Sequence, residues 1–371
     1  MSTRILITGG AGFVGSHLAD EMLAHGYNVR IFDNFSQQVH GSTGRPAYLN
    51  SEVELEAGDI RDPDAVRTAL KDVDAVYHLA AMVGVGQSMY QIAKYTEANN
   101  LGTAVLLESL IERPVERLVV ASSMSLYGEG LYRAQDGSLR PGHDRTLEQL
   151  KAREWELRDE NGAELTPVPT PETKAPALAS VYALSKYDQE RLSLITGRAY
   201  NIPTVALRFF NIYGPRQALS NPYTGVLAIF ASRYLNSQPP LINEDGYQMR
   251  DFVSVHDVAR ACRLALETSA AAGKVFNIGS GRQFTVREVA ARMANVLGKE
   301  HIQPVITGKY RMGDIRHCFA DIALAREVLN YVPQVSFEDG LSELAGWLAG
   351  QVAVDRVAEA SAELSARGLT V

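Results

Sequence analysis

The sequence predicts an α/β chain: a doubly wound parallel sheet with a smaller C-terminal lobe interleaved with its last part. Three observations carry that prediction. Apolar runs of strand length alternate with helical stretches from the N-terminus to about residue 210, the rhythm of parallel strands joined by crossover helices. A glycine-rich turn, Gly9-Gly10-Ala11-Gly12-Phe13-Val14-Gly15, lies between the first strand and the first helix. A length of 371 residues with 46% apolar content allows a large buried core.

The elements follow in order. Arg4 to Thr8 reads as a buried strand, and Ser16 to His25 as a helix stopped by Gly26. Tyr27 to Asp33 is the second strand and closes a βαβ unit. Val53 to Asp59 reads as a strand, Pro63 to Lys71 as a helix entered from Asp62, and Ala75 to Leu79 as a strand. One long helix is expected over Tyr95 to Ile111, then a strand from Arg117 to Ser123. Tyr182 to Tyr200 is a helix and Thr204 to Arg208 a strand. Beyond Asn211 the rhythm changes: helices are expected at Gly225–Asn236, His256–Thr268 and Thr285–Leu297, with strands at Asp251–Val255 and Val275–Ile278. Between Gly128 and Ala179 runs a charged, proline-containing stretch with one helical candidate, Thr146 to Arg158. A connection of that length is either a surface insertion or a functional lid or interface.

Charge and cysteine content exclude several classes. A net charge of −7 without a basic block argues against nucleic acid or an anionic membrane as partner. The two cysteines, Cys262 and Cys318, form no disulfide framework, which fits a reducing cytoplasm. The first residues run straight into a strand pattern rather than a leader, and no apolar stretch reaches the ~20 residues of a membrane span. His256, His301 and His317 lack ligand spacing, so no metal site is expected.

Two motifs carry chemistry. Gly9-x-x-Gly12-x-x-Gly15 follows a strand and opens a helix, the context in which backbone N–H groups and the helix dipole hold a pyrophosphate. Asp33 ends the next strand, where a carboxylate accepts hydrogen bonds from an adenosine ribose and repels a 2′-phosphate. No arginine follows at Asn34 or Phe35, so NAD is expected over NADP. Tyr182 and Lys186 stand four residues apart, on one face of a helix. An ammonium beside a phenol favours the phenolate, so Lys186 is expected to lower the Tyr182 pKa and fit it for proton exchange with an alcohol.

With these motifs in place the chain resembles the extended short-chain dehydrogenase/reductase family, in particular its NAD-dependent nucleotide-sugar epimerases and dehydratases. The resemblance runs from Arg4 to about Trp347. It implies a Rossmann-type domain over residues 1–210 containing the 129–180 insertion, with strands near 251–256 and 275–278 returning to it, and a substrate lobe over 211–371. The cofactor set it implies is Gly9, Gly12, Phe13, Val14 and Gly15 at the turn; Asp33 and Asn34; Asp59 and Ile60 at the adenine; Leu79, Ala80 and Ala81 as a wall; and Asn99, Ser122, Tyr182, Lys186 and Phe210. The catalytic serine of the family lies four residues before the tyrosine of a Tyr-Gly pair; here Ser123 precedes Tyr127-Gly128. Ser123, Tyr182 and Lys186 are thus the implied catalytic residues.

For the substrate the resemblance implies Ser123, Asn211, Arg216, Arg250, Arg311, Asp314 and Cys318, with Arg250 and Arg311 on a diphosphate and Cys318 at the position that sets pocket size. Dehydratases and glucuronate decarboxylases of the group carry a glutamate two residues before the Tyr-Gly tyrosine, where this chain has Ser125. That difference leaves hydride removal and return, which is 4-epimerisation of a nucleotide sugar. The insertion and the wording around Ser123 most resemble a dTDP-L-rhamnose 4-epimerase branch, with UDP-glucose/UDP-galactose as the second candidate and a homodimer as the expected assembly. A non-catalytic NAD-binding sensor or scaffold is the alternative of another class; it would need none of Ser123, Tyr182 and Lys186.

Overall fold

The computed structural model describes residues 3–41, 44–218, 225–310, 314–350 and 366–367. Seven parallel strands form the main sheet: β1 (Arg4–Thr8), β2 (Asn28–Asp33), β3 (Glu54–Ala57), β4 (Ala75–His78), β5 (Arg117–Ser123), β6 (Thr204–Phe209) and β7 (Val275–Ile278). Their order is β7-β6-β5-β4-β1-β2-β3. The chain winds outward to β3, then crosses back to β4, so a crevice opens where β1 and β4 lie side by side. Thr8 stands in register with Phe32 of β2 and His78 of β4, which brings the three strand ends to one edge.

The crossover helices are α1 (Phe13–Ala24), α2 (Pro63–Ala69), α3 (Gly102–Glu112) and α4 (Val181–Ala199). α2 starts where proline and a capping carboxylate dictate: Asp62 accepts from the N–H groups of Asp64 and Ala65 at 2.9 and 3.2 Å. Ser180 caps α4 through the Ala183 N–H at 3.1 Å. The helix expected over 95–111 is broken. Ile92–Tyr95 is α-helical, Thr96–Leu101 forms a π-helix and α3 resumes at Gly102. Periodicity of apolar residues does not report the extra residue that a π turn inserts, and such turns recur at functional sites.

The second half closes the molecule with α5 (Val226–Leu235), α6 (Val255–Glu267), α7 (Val286–Val296) and α8 (Phe337–Leu348). α6 belongs to the sheet: Val258, Ala261, Cys262 and Ala265 share one core with Leu18 and Met22 of α1. α5, α7 and α8 gather around a separate core of Phe230, Phe252, Phe284 and Phe337, with Phe284 and Phe337 stacked at 4.4 Å. Phe252–Ser254 does not join the main sheet; it pairs in parallel with Asn211–Tyr213 as a two-stranded sheet of its own.

The insertion is structured. Leu131–Arg133 pairs antiparallel with Leu139–Pro141 and with Thr166–Val168, over a small core of Tyr132, Ala134, Leu157 and Leu165. The helical candidate 146–158 shrinks to Leu147–Lys151. Strands of three residues are too short to print an alternation that can be told from chance.

Candidate active site

The glycine turn has the geometry its sequence promises. A side chain at Gly9, whose φ is +68°, would strike the Ala80 backbone at 2.8 Å, and one at Gly15 would meet Gly10 Cα at 2.5 Å. These two glycines let the turn fold against the end of β4 and let α1 approach it. Gly12 is the N-cap of α1 and offers no side-chain cap, so the first-turn N–H groups face outward for an anion. Asp33 Oδ2 accepts from Ala11 N–H at 3.0 Å and Oδ1 from Phe35 N–H at 2.9 Å, which fixes the carboxylate at the mouth of the turn. Each oxygen keeps a further lone pair for a ribose hydroxyl. Asn34 donates to Asp59 at 3.1 Å, and Arg61 grips the same carboxylate at 2.8 Å, holding Asp59 well below the usual carboxylate range. Ile60 is buried against Gly102 at the start of α3. A dinucleotide fits this crevice: an uncapped helix end, the fixed Asp33 carboxylate and the Asp59–Ile60 turn stand along one edge of the sheet.

Leu79, Ala80 and Ala81 run on from β4. The Ala80 N–H reaches Thr8 Oγ1 at 3.2 Å. Asn99, fully buried in the π-helical turn, ties the next residue down: its Oδ1 accepts from Met82 N–H at 2.7 Å and its amide donates to Met82 O and to Ser185 Oγ. Asn99 thus clamps the wall to α4. Ser122 is turned away; its hydroxyl donates to Glu190 at 2.7 Å, and Glu190 also holds Arg208. Phe210 is buried beside the Tyr127 ring at 6.3 Å. Phe13 and Val14 open the first turn of α1.

Ser123 ends β5 and faces Tyr182 on α4, where its hydroxyl favours the phenolate. Its Oγ also accepts from the Ser125 hydroxyl at 2.9 Å and the Ser125 N–H at 3.2 Å. Ser125 therefore holds the Ser123 hydroxyl, a contact its sequence position did not announce. Lys186 lies one turn along α4 from Tyr182, 3% exposed. The expected lowering of the Tyr182 pKa is not what the environment gives. Burial raises the phenol above 10, offset only in part by the neighbouring Ser123 hydroxyl. Burial also brings Lys186 down to about 7, with the Glu190 charge opposing. The Lys186 ammonium donates instead to Gln189 at 2.7 Å, a partner that sequence reasoning did not single out although it stands one helical turn away.

The residues expected at the substrate are distributed unevenly. Arg250 donates to Met249 O and Arg316 O, each at 2.9 Å, and also to Ile315 O, with Asp314 at 3.8 Å. Arg250 and Asp314 are thus neighbours, held on the short parallel pair Met249–Arg250 and His317–Cys318. Asn211 bonds Asp251 O at 2.9 Å. Arg311 lies outside the described residues. Arg216 is engaged elsewhere: with φ of +67° it turns back to Asp20 of α1 at 2.8 Å and stands over the Tyr48 ring. Cys318 is core, 1% exposed, packed beside Thr170 and Gly130 of the insertion, with burial raising its thiol to about 12. Among the described residues no cluster of potential metal ligands occurs, and no helix is long and apolar enough to cross a membrane.

The insertion reaches the substrate side through charge. Arg316, fully buried, pairs with Glu156, with Glu244 at 2.9 Å and with Asp245 at 2.7 Å. Arg145 takes the other oxygen of Glu244 at 2.7 Å, and His317 bonds Glu156 at 2.8 Å. Glu129 accepts from Tyr132 at 2.7 Å and from the Arg316 and His317 N–H groups. No sequence signal joined these groups, because they lie far apart along the chain.

The comparisons agree with this geometry. The NAD dependent epimerase/dehydratase family matches residues 5–149 and 160–279. A relative from Burkholderia thailandensis, a dTDP-L-rhamnose 4-epimerase, is 33% identical over 353 residues, covering 94% of this chain and 96% of its own. Among solved structures, the UDP-glucose 4-epimerase of Thermotoga maritima with UDP-glucose superposes with a TM-score of 0.76 at 31% identity, over 94% of this chain and 99% of that one. The UDP-glucose 4-epimerase of Thermus thermophilus in complex with NAD gives 0.74 at 30%, over 94% and 100%. The chain takes NAD as cofactor and belongs to the NAD dependent epimerase/dehydratase family.

Proposed function

We propose that the protein catalyses 4-epimerisation of a nucleotide-activated hexose through a transient 4-keto sugar. dTDP-L-rhamnose is the favoured substrate and UDP-glucose/UDP-galactose the second. The observation that carries the reaction type is Tyr182 set beside Ser123 at the end of β5, with Lys186 one turn away and the Ser125 hydroxyl, not an acid, on Ser123. Bound NAD supplies the hydride acceptor and donor. Tyr182 as phenolate takes the 4-hydroxyl proton and returns it on the other face of the sugar. Ser123 holds the reacting oxygen, and Ser125 holds Ser123. Arg250 and Arg311 suit the diphosphate, and Asp314 the nucleotide ribose. The near full-length similarity to a dTDP-L-rhamnose 4-epimerase supports that sugar first.

Dehydration or decarboxylation passes through the same keto sugar but needs a further acid or base. The insertion's buried and half-buried glutamates are already committed: Glu129 to Tyr132 and two backbone N–H groups, Glu156 to Arg316 and His317, Glu172 to the Asn277 N–H. Products of unchanged mass are expected. The test is a panel of dTDP- and UDP-hexoses resolved by NMR and mass spectrometry. Loss of water or carbon dioxide from the substrate would overturn the reaction type; bound NAD with no turnover on any sugar would favour a binding protein.

The reading extends to a homodimer in a reducing cytoplasm. Leu184, Leu192 and Ile195 form an exposed apolar stripe on α4, with Leu101 near it at the head of α3, a surface suited to the same helices of a second copy. Cys262 and Cys318 are both free and buried. Light scattering of the Leu184→Glu variant tests the assembly; a dimer mass unchanged by that substitution would move the interface elsewhere.

A further inference from the structure

Lys186 is the most deeply buried cation of the active site, and its ammonium has a hydrogen-bond partner that belongs to none of the motifs above. Nζ donates to Gln189 Oε1 at 2.7 Å. Gln189 is fully buried, so its amide cannot turn to water for other partners. A lysine ammonium only donates, so Oε1 must face it and Nε2 must face the other way. There Nε2 donates to Thr103 Oγ1 at 2.8 Å and to Ala80 O at 3.4 Å, and His78 Nε2, donating to the same Thr103 oxygen at 2.8 Å, packs beside it. His78 Nδ1 in turn meets Thr8 Oγ1 at 2.8 Å, and Thr8 Oγ1 accepts from the Ala80 N–H. The chain of hydrogen bonds runs from the catalytic lysine on α4, across α3 and β4, to the wall that begins at Ala80. Thr103 is anchored by its bond to Asn99 O at 2.5 Å, so the amide has a fixed floor.

We propose that Gln189 is a positioning residue for the reaction, holding the Lys186 ammonium in place and in its charged form and fixing it relative to the cofactor wall.

The charges around Lys186 leave that task to Gln189. His78 on β4 is driven to about 3 by burial and by Lys186, so it stays neutral and offers no counter-charge. Glu190, on the same helix, is the near carboxylate, but both its oxygens are taken, by Arg208 of β6 and by Ser122 of β5. Tyr182 is the group to be ionised. An amide oxygen is then the acceptor that stabilises the ammonium without adding a charge that would compete with the phenolate. A leucine, shorter and without a carbonyl, would leave the ammonium unsatisfied and favour the amine. A glutamate would pin the proton on.

The inference rests on the assignment of Tyr182 and Lys186 as the proton-transfer pair, and its test is separable from that assignment. Lys186 is followed by NMR of 13Cε-lysine in the purified protein with its cofactor, the signal identified by its loss in Lys186→Arg. Gln189→Leu should move the Lys186 titration to lower pH by about one unit or more, and Gln189→Glu should move it upward. The alkaline limb of the kcat profile should follow in the same directions, with KM for the nucleotide sugar nearly constant. Gln189→Met serves in place of leucine if the latter lowers the yield of folded protein. A Lys186 titration that is the same in all variants would overturn the proposal even if turnover fell. Retained activity in Tyr182→Phe would overturn the catalytic assignment instead, and would leave the NMR result to judge Gln189 alone.

Discussion

The cofactor half and the substrate half of this molecule are held by different physics. At the cofactor half, the key contacts are short-range: glycines that permit close backbone approach, an uncapped helix end, and a carboxylate 22 residues on that takes the Ala11 N–H. These contacts are mostly backbone, neutral or single-charge, and follow from one βαβ unit. At the substrate half, groups separated by 71 to 160 residues meet in a buried ion network: Arg316 with Asp245, Glu244 and Glu156. A local turn can be built by its own sequence. An ion network has to be assembled by the whole fold, and each member is costly if left alone. The two halves should therefore fail differently.

The largest difference should come from the network. Arg316→Met takes the cation from Asp245 and leaves Glu156 to His317 and Glu244 to Arg145; breaking a fully buried pair costs on the order of 3–5 kcal/mol, and the 29% and 30% exposure of Glu156 and Asp245 reduces it here. Thermal unfolding should shift strongly, and amide exchange should rise first in the 129–180 insertion while β1, β4 and β5 stay protected. Uniform loss of protection across both halves would show that the network holds the whole molecule and not one side of it.

Next in size is the diphosphate contact. Arg250→Ala should raise KM for the nucleotide sugar by roughly 10–100-fold, from the ~1.5–3 kcal/mol of a charged hydrogen bond. The guanidinium also bonds three backbone carbonyls, so the variant distinguishes binding from scaffolding. A fall in kcat at unchanged KM would make Arg250 a strut of the Met249–Cys318 pairing.

The cofactor half should respond more mildly. Asp33→Ala removes a carboxylate and keeps the strand, so NAD should bind on the order of 10-fold more weakly and discrimination against NADP should shrink. Titration by fluorescence with both dinucleotides measures it; equal affinity of the unaltered protein for the two would remove Asp33 from the ribose.

The smallest effect is a pH dependence confined to the substrate half. Burial pushes Glu156 up, but the hydrogen bonds from His317 and Arg316 outweigh it and bring the carboxyl down to about 2 from 4.5. A depressed carboxyl contributes stability that is complete above its unfolded value and is lost as pH falls through the folded one. The Tm gap between the protein and Glu156→Gln should thus be widest above about pH 5 and narrow toward about pH 3. A gap constant across that range would place the carboxylate's contribution in packing alone.

Local sequence was enough to specify the sheet and the turn and to put Tyr182 and Lys186 on one helix face. Strand runs, the Gly9-Gly12-Gly15 spacing, Asp33 and the Tyr182–Lys186 interval are all encoded within windows of a few to some twenty residues, and local sterics and hydrogen bonding act over the same range. Other properties arose only once the chain had packed. The direction of the Tyr182 pKa is one, because burial is a property of everything around a phenol. Packing also turned Ser122 to Glu190, Arg216 to Asp20 and Cys318 into the core. It gave Lys186 its partner in Gln189 and joined Arg145, Glu156, Glu244 and Arg316 into one network. Desolvation and charge pairing depend on distances in space, and a linear sequence states those distances only where neighbours in space are neighbours in the chain.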